Sequence, residues 1–506
     1  MAVAVNESLQ QLKQLDEKIS AFSSILSLAG WDQKVKAPKK GRSTFAKSMG
    51  AVSTEVFKMS ISPELGEALE ELTKPEVYET LDEKDQALVR DYNHNYTRSK
   101  SIPTDLFQEY SVLTGEANQA WEEARANNDF ASYQPYLEKM VDFKRKFAEY
   151  YGYEDHPYDA LMDAFEPGLK VKDIDPIFRD LRESSINLLE RIQNSGTKMD
   201  RSFLEKNYDT KTQEEFLHNL LPKLGYDTEA GRLDATAHPF AQKVNIGDVR
   251  ITTRYDEDNL SFALFSTIHE VGHALYEQGV REDLEGTGLN GGTSLGIHES
   301  QSRFLENMVG RTPEFWQAHY SDLQETFPEQ LKDVSREDFY HAVNSVQPSF
   351  IRVEADELTY NLHIMIRYEI EKGLIAGDIE VKDLPRVWNE KMEEYLGIVP
   401  DNDSVGVLQD VHWSFGAIGY FHTYSLGNLY SAQILNTIQK EIPGFYEQIA
   451  QGDLTQIREW LREKIHQHGS IYQPSQLIEM VTGEKLNSDY LVNYLEEKYS
   501  KLYNLK

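Results

Sequence analysis

From residue 4 to about residue 200 the chain places apolar side chains three and four positions apart almost without interruption, the spacing that covers one face of an α-helix. It reads as successive amphipathic helices separated by short polar breaks such as Lys36 to Gly41 and Ser101 to Pro103. One segment departs clearly from that period. Between Gly247 and Tyr255, Asp248, Arg250 and Thr252 alternate with Val249, Ile251 and Thr253, which is strand spacing. One short strand or hairpin is therefore expected there, followed by further helices to the C-terminus. The expected fold is mainly α, with a small sheet or hairpin beside the candidate site. We expect a single domain over 1–506, with a helical N-terminal lobe (1–230) and a second lobe (231–506) around a cleft.

Composition narrows the function before any motif is considered. Apolar residues make up 40% and charged residues 27%, enough to bury a real core in a chain of 506 residues. The net charge of −32 argues against a nucleic-acid partner, which needs clustered Lys and Arg. The one basic run, Lys34 to Arg42, reads as a solvated loop between helices. No apolar run approaches the roughly 18 residues that cross a bilayer, and no apolar signal segment opens the chain, so the expected location is cytoplasmic. Cysteine is absent, so any metal must be held by His, Asp or Glu.

The segment with the most chemistry is His269-Glu270-Val271-Gly272-His273. It lies inside a helix predicted over 260–278, with Asn259 as N-cap and Gly279 as stop. Residues four apart share a helix face, so His269 and His273 can meet one cation while Glu270 sits where a general base would act on water. An extended motif with Gly at 276 and a third His at 279 is excluded, because those positions hold Tyr276 and Gly279. The third ligand should then be a carboxylate from a second helix. After a Gly-rich connection, 295–309 again has helical spacing and offers Glu299 in its first turn and Glu306 two turns later. Spacing alone leaves both open.

His298-Glu299-Ser300-Gln301 after such a helix resembles the carboxypeptidase Taq family of metallocarboxypeptidases, and the resemblance runs over most of the chain. His238-Pro239-Phe240 matches a short motif before the strand, and Asp248, Arg250 and Thr252 match Asp-x-Arg-x-Thr. Ile351-Arg352-Val353-Glu354-Ala355-Asp356 fits Ile-Arg-x-x-Ala-Asp, and Gly406, Gln409, Asp410, His412 and Trp413 fit Gly-x-x-Gln-Asp-x-His-Trp. Six motifs in this order are far more specific than any one of them. The resemblance implies a cytosolic, largely helical enzyme with a long central groove, forming a homodimer. It would remove C-terminal residues from peptides with broad preference and poor acceptance of proline. It also implies His269, His273 and Glu299 as ligands of one divalent metal per chain, Zn2+ or alternatively Co2+.

Roles outside the metal ligands follow from residue type and placement. Arg352 is the candidate partner of a substrate carboxylate, with a salt bridge to Asp356 as its plain alternative. His412, Tyr420 and Tyr424 are candidate donors to an oxyanion, and Arg250 and His238 are candidate substrate contacts. The strand over 248–254 could pair with an extended peptide. Two other activities share these features: a helical metallo-endopeptidase, and a metal-binding scaffold without catalysis.

Overall fold

The computed structural model describes residues 2–505. The expectation of a mainly helical chain holds: helices account for most of the described residues, and one three-stranded sheet interrupts them. The first third is a series of helices, Ala2–Val35, Arg42–Ser60, Pro63–Leu72, Glu83–Ser101, Thr104–Asn127 and Phe130–Tyr151 among them. Several start on a side chain that accepts an otherwise orphaned backbone N–H. Ser62 takes the amide of Leu65, and Asp82 takes that of Asp85. Among the described residues no helix is long and apolar enough to cross a membrane.

The small sheet expected beside the site has three strands, of which the alternation over 247–255 marked one. β1 (Leu233–Ala235) runs parallel to β3 (Asp248–Thr253), and β2 (Ala241–Asn245) runs antiparallel on its other side. Val249, Ile251 and Thr253 of β3 are buried, as their alternation requires, and Thr252 on the other face is buried as well. Because β3 is central, with Leu233 opposite Ile251 and Gln242 opposite Arg250, it has no free edge for a peptide. That corrects the expectation for 248–254: the edge strands of the sheet are β1 and β2.

Two apolar cores organise the helices. The larger draws on residues from Leu113 to Tyr503 and includes the Leu260–Gln278, Glu357–Ala376 and His422–Glu441 helices. The smaller joins Leu12, Leu65, Leu69, Leu88 and Val89 of the first helices to Val280, Leu284, Leu289 and Ile471. The Gly-rich connection after the Leu260–Gln278 helix therefore packs on the N-terminal helices, and Asp16 fastens it by accepting the Gly288 amide at 2.7 Å.

Candidate metal centre

The Leu260–Gln278 helix has the predicted boundaries. Asn259 accepts the Phe262 amide at its start, and Gly279 follows its end. Leu264, Phe265, Ile268, Val271 and Ala274 wrap it in core, which fixes the face bearing His269 and His273. Their rings stand 4.9 Å apart and nearly perpendicular. The second helix, Leu295–Arg303, is capped by Ser294 and carries Glu299. At Gly272 the two helices meet backbone to backbone, since a Cβ there would lie 2.5 Å from the Gln301 carbonyl oxygen.

Glu299 Oε2 lies 3.7 Å from His269 Nε2 and 3.5 Å from His273 Nε2. One donor atom from each of these three residues falls within 4.8 Å of the others. Two imidazoles and one carboxylate are the donor set of a borderline divalent cation, so these residues fit a zinc-type ion. Glu306, the rival ligand, is turned to a different atom. A π-helical turn over Phe304–Gly310 carries its Oε2 to 3.0 Å from Nδ1 of His269, on the far side of the ring from Glu299. Arg303 donates to Glu299 at 2.7 Å and to Glu306 at 3.3 Å, and Arg311 holds the other Glu306 oxygen at 3.0 Å.

Charges follow from these contacts. Burial opposes ionisation of Glu299 and Glu306, but Arg303 chiefly, with His269 beside it, holds both well below the usual carboxylate range. Burial also works against a charged His269, yet Glu299 and Glu306 keep its pKa above the ordinary value. His273 is pulled down to about 4 by burial. Burial pushes Glu270 up to about 7, with the charges of Glu299 and Glu306 adding to it against His269. A carboxyl at that level can both take and return a proton near neutrality.

A second polar cluster surrounds Arg352, which is only 6% exposed. The expected alternative partner, Asp356, is used otherwise: it caps the Glu357–Ala376 helix by accepting the amides of Leu358 and Thr359. Arg352 instead donates to Asp410 at 2.9 Å and to the Tyr360 hydroxyl at 3.2 Å. Arg367 takes the other Asp410 oxygen at 2.6 Å. Two guanidinium groups against one carboxylate leave a net positive charge in the interior. His412, Tyr420 and Tyr424 gather beside it, with the Tyr424 hydroxyl 3.5 Å from His412 Nε2 and the Tyr420 and Tyr424 rings 5.4 Å apart. Burial raises the pKa of both phenols, so they keep their protons. The Arg303 guanidinium, 4.3 Å above the Tyr360 ring, links this cluster to Glu299.

Arg250 and His238 lie apart from these clusters. Arg250 makes two 2.7 Å bonds to Asp248 and stacks on Trp31. His238 is exposed in the turn between β1 and β2. The sequence reading missed Arg303, Glu277, Lys243 and Arg367. Only Arg303 had a local signal, its position four residues after Glu299.

Residues 11–499 match a family described as carboxypeptidase Taq (M32) metallopeptidase. The chain is 46% identical to carboxypeptidase 1 of Bacillus subtilis over 97% of each chain. It is 42% identical to thermostable carboxypeptidase 1 of Thermus thermophilus over 98% of each. The crystal structure of an M32 carboxypeptidase from Deinococcus radiodurans superposes with a TM-score of 0.94 at 36% identity, covering 99% of this chain and all of that one.

Proposed function

The chain belongs to the carboxypeptidase Taq (M32) family of metallopeptidases, and on that premise we propose that it removes C-terminal residues from peptides with Glu270 as general acid and base. The observation that carries the proposal is the grouping of His269, His273 and Glu299 donors beside a buried glutamate whose pKa is about 7. The ligands are these three residues. A divalent ion bound by them, zinc in our reading and cobalt as the alternative, would supply a Lewis acid and lower the pKa of water to about 7.

The chain's own side chains do the rest. Glu270 takes a proton from the attacking water and returns it to the departing amine. The protonated phenols of Tyr420 and Tyr424 are donors for the negative charge that develops on the scissile carbonyl oxygen, with His412 behind them. Arg352 reads the substrate carboxylate. Its contacts with Asp410 and Tyr360 leave one N–H on each terminal nitrogen, a pair suited to the two oxygens of a carboxylate. Arg250 and His238, by their positions, are substrate contacts at most beyond this subsite. Broad side-chain preference, poor acceptance of proline, a homodimer and a cytoplasmic location complete the proposal and rest on the family resemblance.

Mass spectrometry of an unblocked peptide and its C-terminal amide, each incubated with metal-loaded protein, tests the reading. A ladder of C-terminal losses from the free acid alone is expected. Internal cuts in both peptides would replace it with an endopeptidase, and two intact peptides with a scaffold.

A further inference from the structure

We propose that Lys243, Glu277 and His298 form a partly buried arm that positions His273, so that the charge of one lysine on β2 sets how tightly the metal is held. The proposal rests on the reading of His269, His273 and Glu299 as ligands. Its members come from three separate elements. Nδ1 of His273 lies 2.5 Å from Nδ1 of His298, and Nε2 of His298 lies 2.8 Å from Glu277 Oε1. The Lys243 ammonium stands 3.0 Å from Glu277 Oε2, as an ion pair without hydrogen-bond alignment, and donates to the Asn290 side chain at 2.6 Å.

Proton bookkeeping closes in one arrangement. His273 Nε2 faces Glu299 and must offer a lone pair to a cation, so its proton sits on Nδ1. His298 Nδ1 must then accept, which places the His298 proton on Nε2, aimed at Glu277. The opposite tautomer of His298 would set two N–H groups against each other at 2.5 Å. Glu277 therefore fixes His273 through an intervening imidazole, whereas Glu306 acts on His269 directly.

Glu277 is 8% exposed, and a buried carboxylate keeps its charge only with a partner. Burial opposes its ionisation, but His298 and Lys243 hold it at about 2. Without Lys243 the Glu277 carboxylate loses one of the two partners that offset its burial, and its hold on His298 weakens. Outer partners of this kind typically change metal affinity about 10- to 100-fold.

The test is the zinc dissociation constant of the full-length protein, measured by competition with a chromophoric chelator and so independent of catalysis. Lys243→Met and Glu277→Gln should each weaken zinc binding about 10- to 100-fold. Lys243→Arg should restore most of the affinity. The double variant, which removes the buried pair entirely and should fold even where Lys243→Met does not, should be no weaker than Glu277→Gln alone. Affinity within about twofold of the parent in both folded single variants overturns the arm, as do additive losses or a failure of Lys243→Arg to restore binding. His273→Ala is the reference: if it keeps zinc, the ligand assignment fails and the arm falls with it.

Discussion

Gly427 lies directly against Glu299. A Cβ at that position would stand 2.4 Å from Glu299 Cγ and 2.7 Å from its Cβ. The His422–Glu441 helix can approach the Leu295–Arg303 helix this closely only because residue 427 has no side chain, and that approach fixes the height of the Glu299 carboxylate above the two histidines. Gly427→Ala must push Glu299 or its helix aside. It is expected to reduce zinc affinity at least tenfold, since ligands a few tenths of an ångström out of place fit a cation poorly. Calorimetric zinc titration of the folded variant decides this, and unchanged affinity would show that the helices can separate without moving the carboxylate.

The acid–base role proposed for Glu270 and the ligand role proposed for Glu299 separate by two readouts. Glu270→Gln should retain metal while turnover falls by several orders of magnitude, because the base goes and the three donors stay. Glu299→Ala should lose metal outright. Glu306→Ala should bind it more weakly but measurably, about 10- to 100-fold, since it loses the orienting partner of His269 and no ligand. Equal metal loss in the two glutamate variants would erase the distinction between them.

Much of this centre was legible locally, and the reason is the range of the interactions. The Leu260–Gln278 helix announces itself through a capping Asn259, an unbroken apolar period and Gly279, all within twenty-odd residues of chain. β1 has three residues and β2 reads Ala-Gln-Lys-Val-Asn, without strict alternation, so both depend on β3 and carry little signal of their own. The π-turn that aims Glu306 at His269 is invisible to a 3.6-residue pattern. Arg352 shows the same limit: its neighbour Asp356 is taken up as a helix cap, and its partner Asp410 comes from 58 residues away. Lys243, Glu277 and His298 meet from three elements and leave no shared pattern in the sequence.

Asp16 supplies a pH dependence far from the metal. It is 2% exposed, and its Oδ1 accepts both the Tyr92 hydroxyl and the Gly288 amide. Burial raises its pKa from the ordinary 3.8 to about 6, more than those two bonds lower it. A carboxyl with a raised folded pKa contributes most below its unfolded value, and that contribution is lost as pH rises through the folded one. Between pH 4 and 6 the gap amounts to roughly 3 kcal/mol. Asp16→Asn keeps an oxygen for both donors and has no charge to bury. Urea unfolding should find it more stable than the parent at pH 7.5, with the advantage shrinking toward pH 4. An Asn variant less stable at pH 7.5 would mean that the ionised form is the better fit.

The preference for chain ends should reside in Arg352. An exopeptidase gains its selectivity when the terminal carboxylate strengthens transition-state binding, and an internal peptide leaves the reading cation unpaired. Arg352 is buried, keeps one free N–H on each terminal nitrogen and sits beside Tyr424 and His412, with a net positive charge from the Arg352, Arg367 and Asp410 group. A charge-assisted bidentate contact is worth about 1.5 to 3 kcal/mol, so Arg352→Ala should lower kcat/KM on a free-acid peptide by roughly ten- to a hundredfold or more. The C-terminal amide should be affected much less, and the ratio of the two rates should collapse toward one. Arg367 remains on Asp410 in the variant, so the carboxylate is not stranded and the fold should survive, which circular dichroism and metal content would verify. If a folded, metal-loaded Arg352→Ala enzyme keeps the parent's preference for the free acid, Arg352 is not the reader. Arg367, the other cation on Asp410, would then be the group to substitute next.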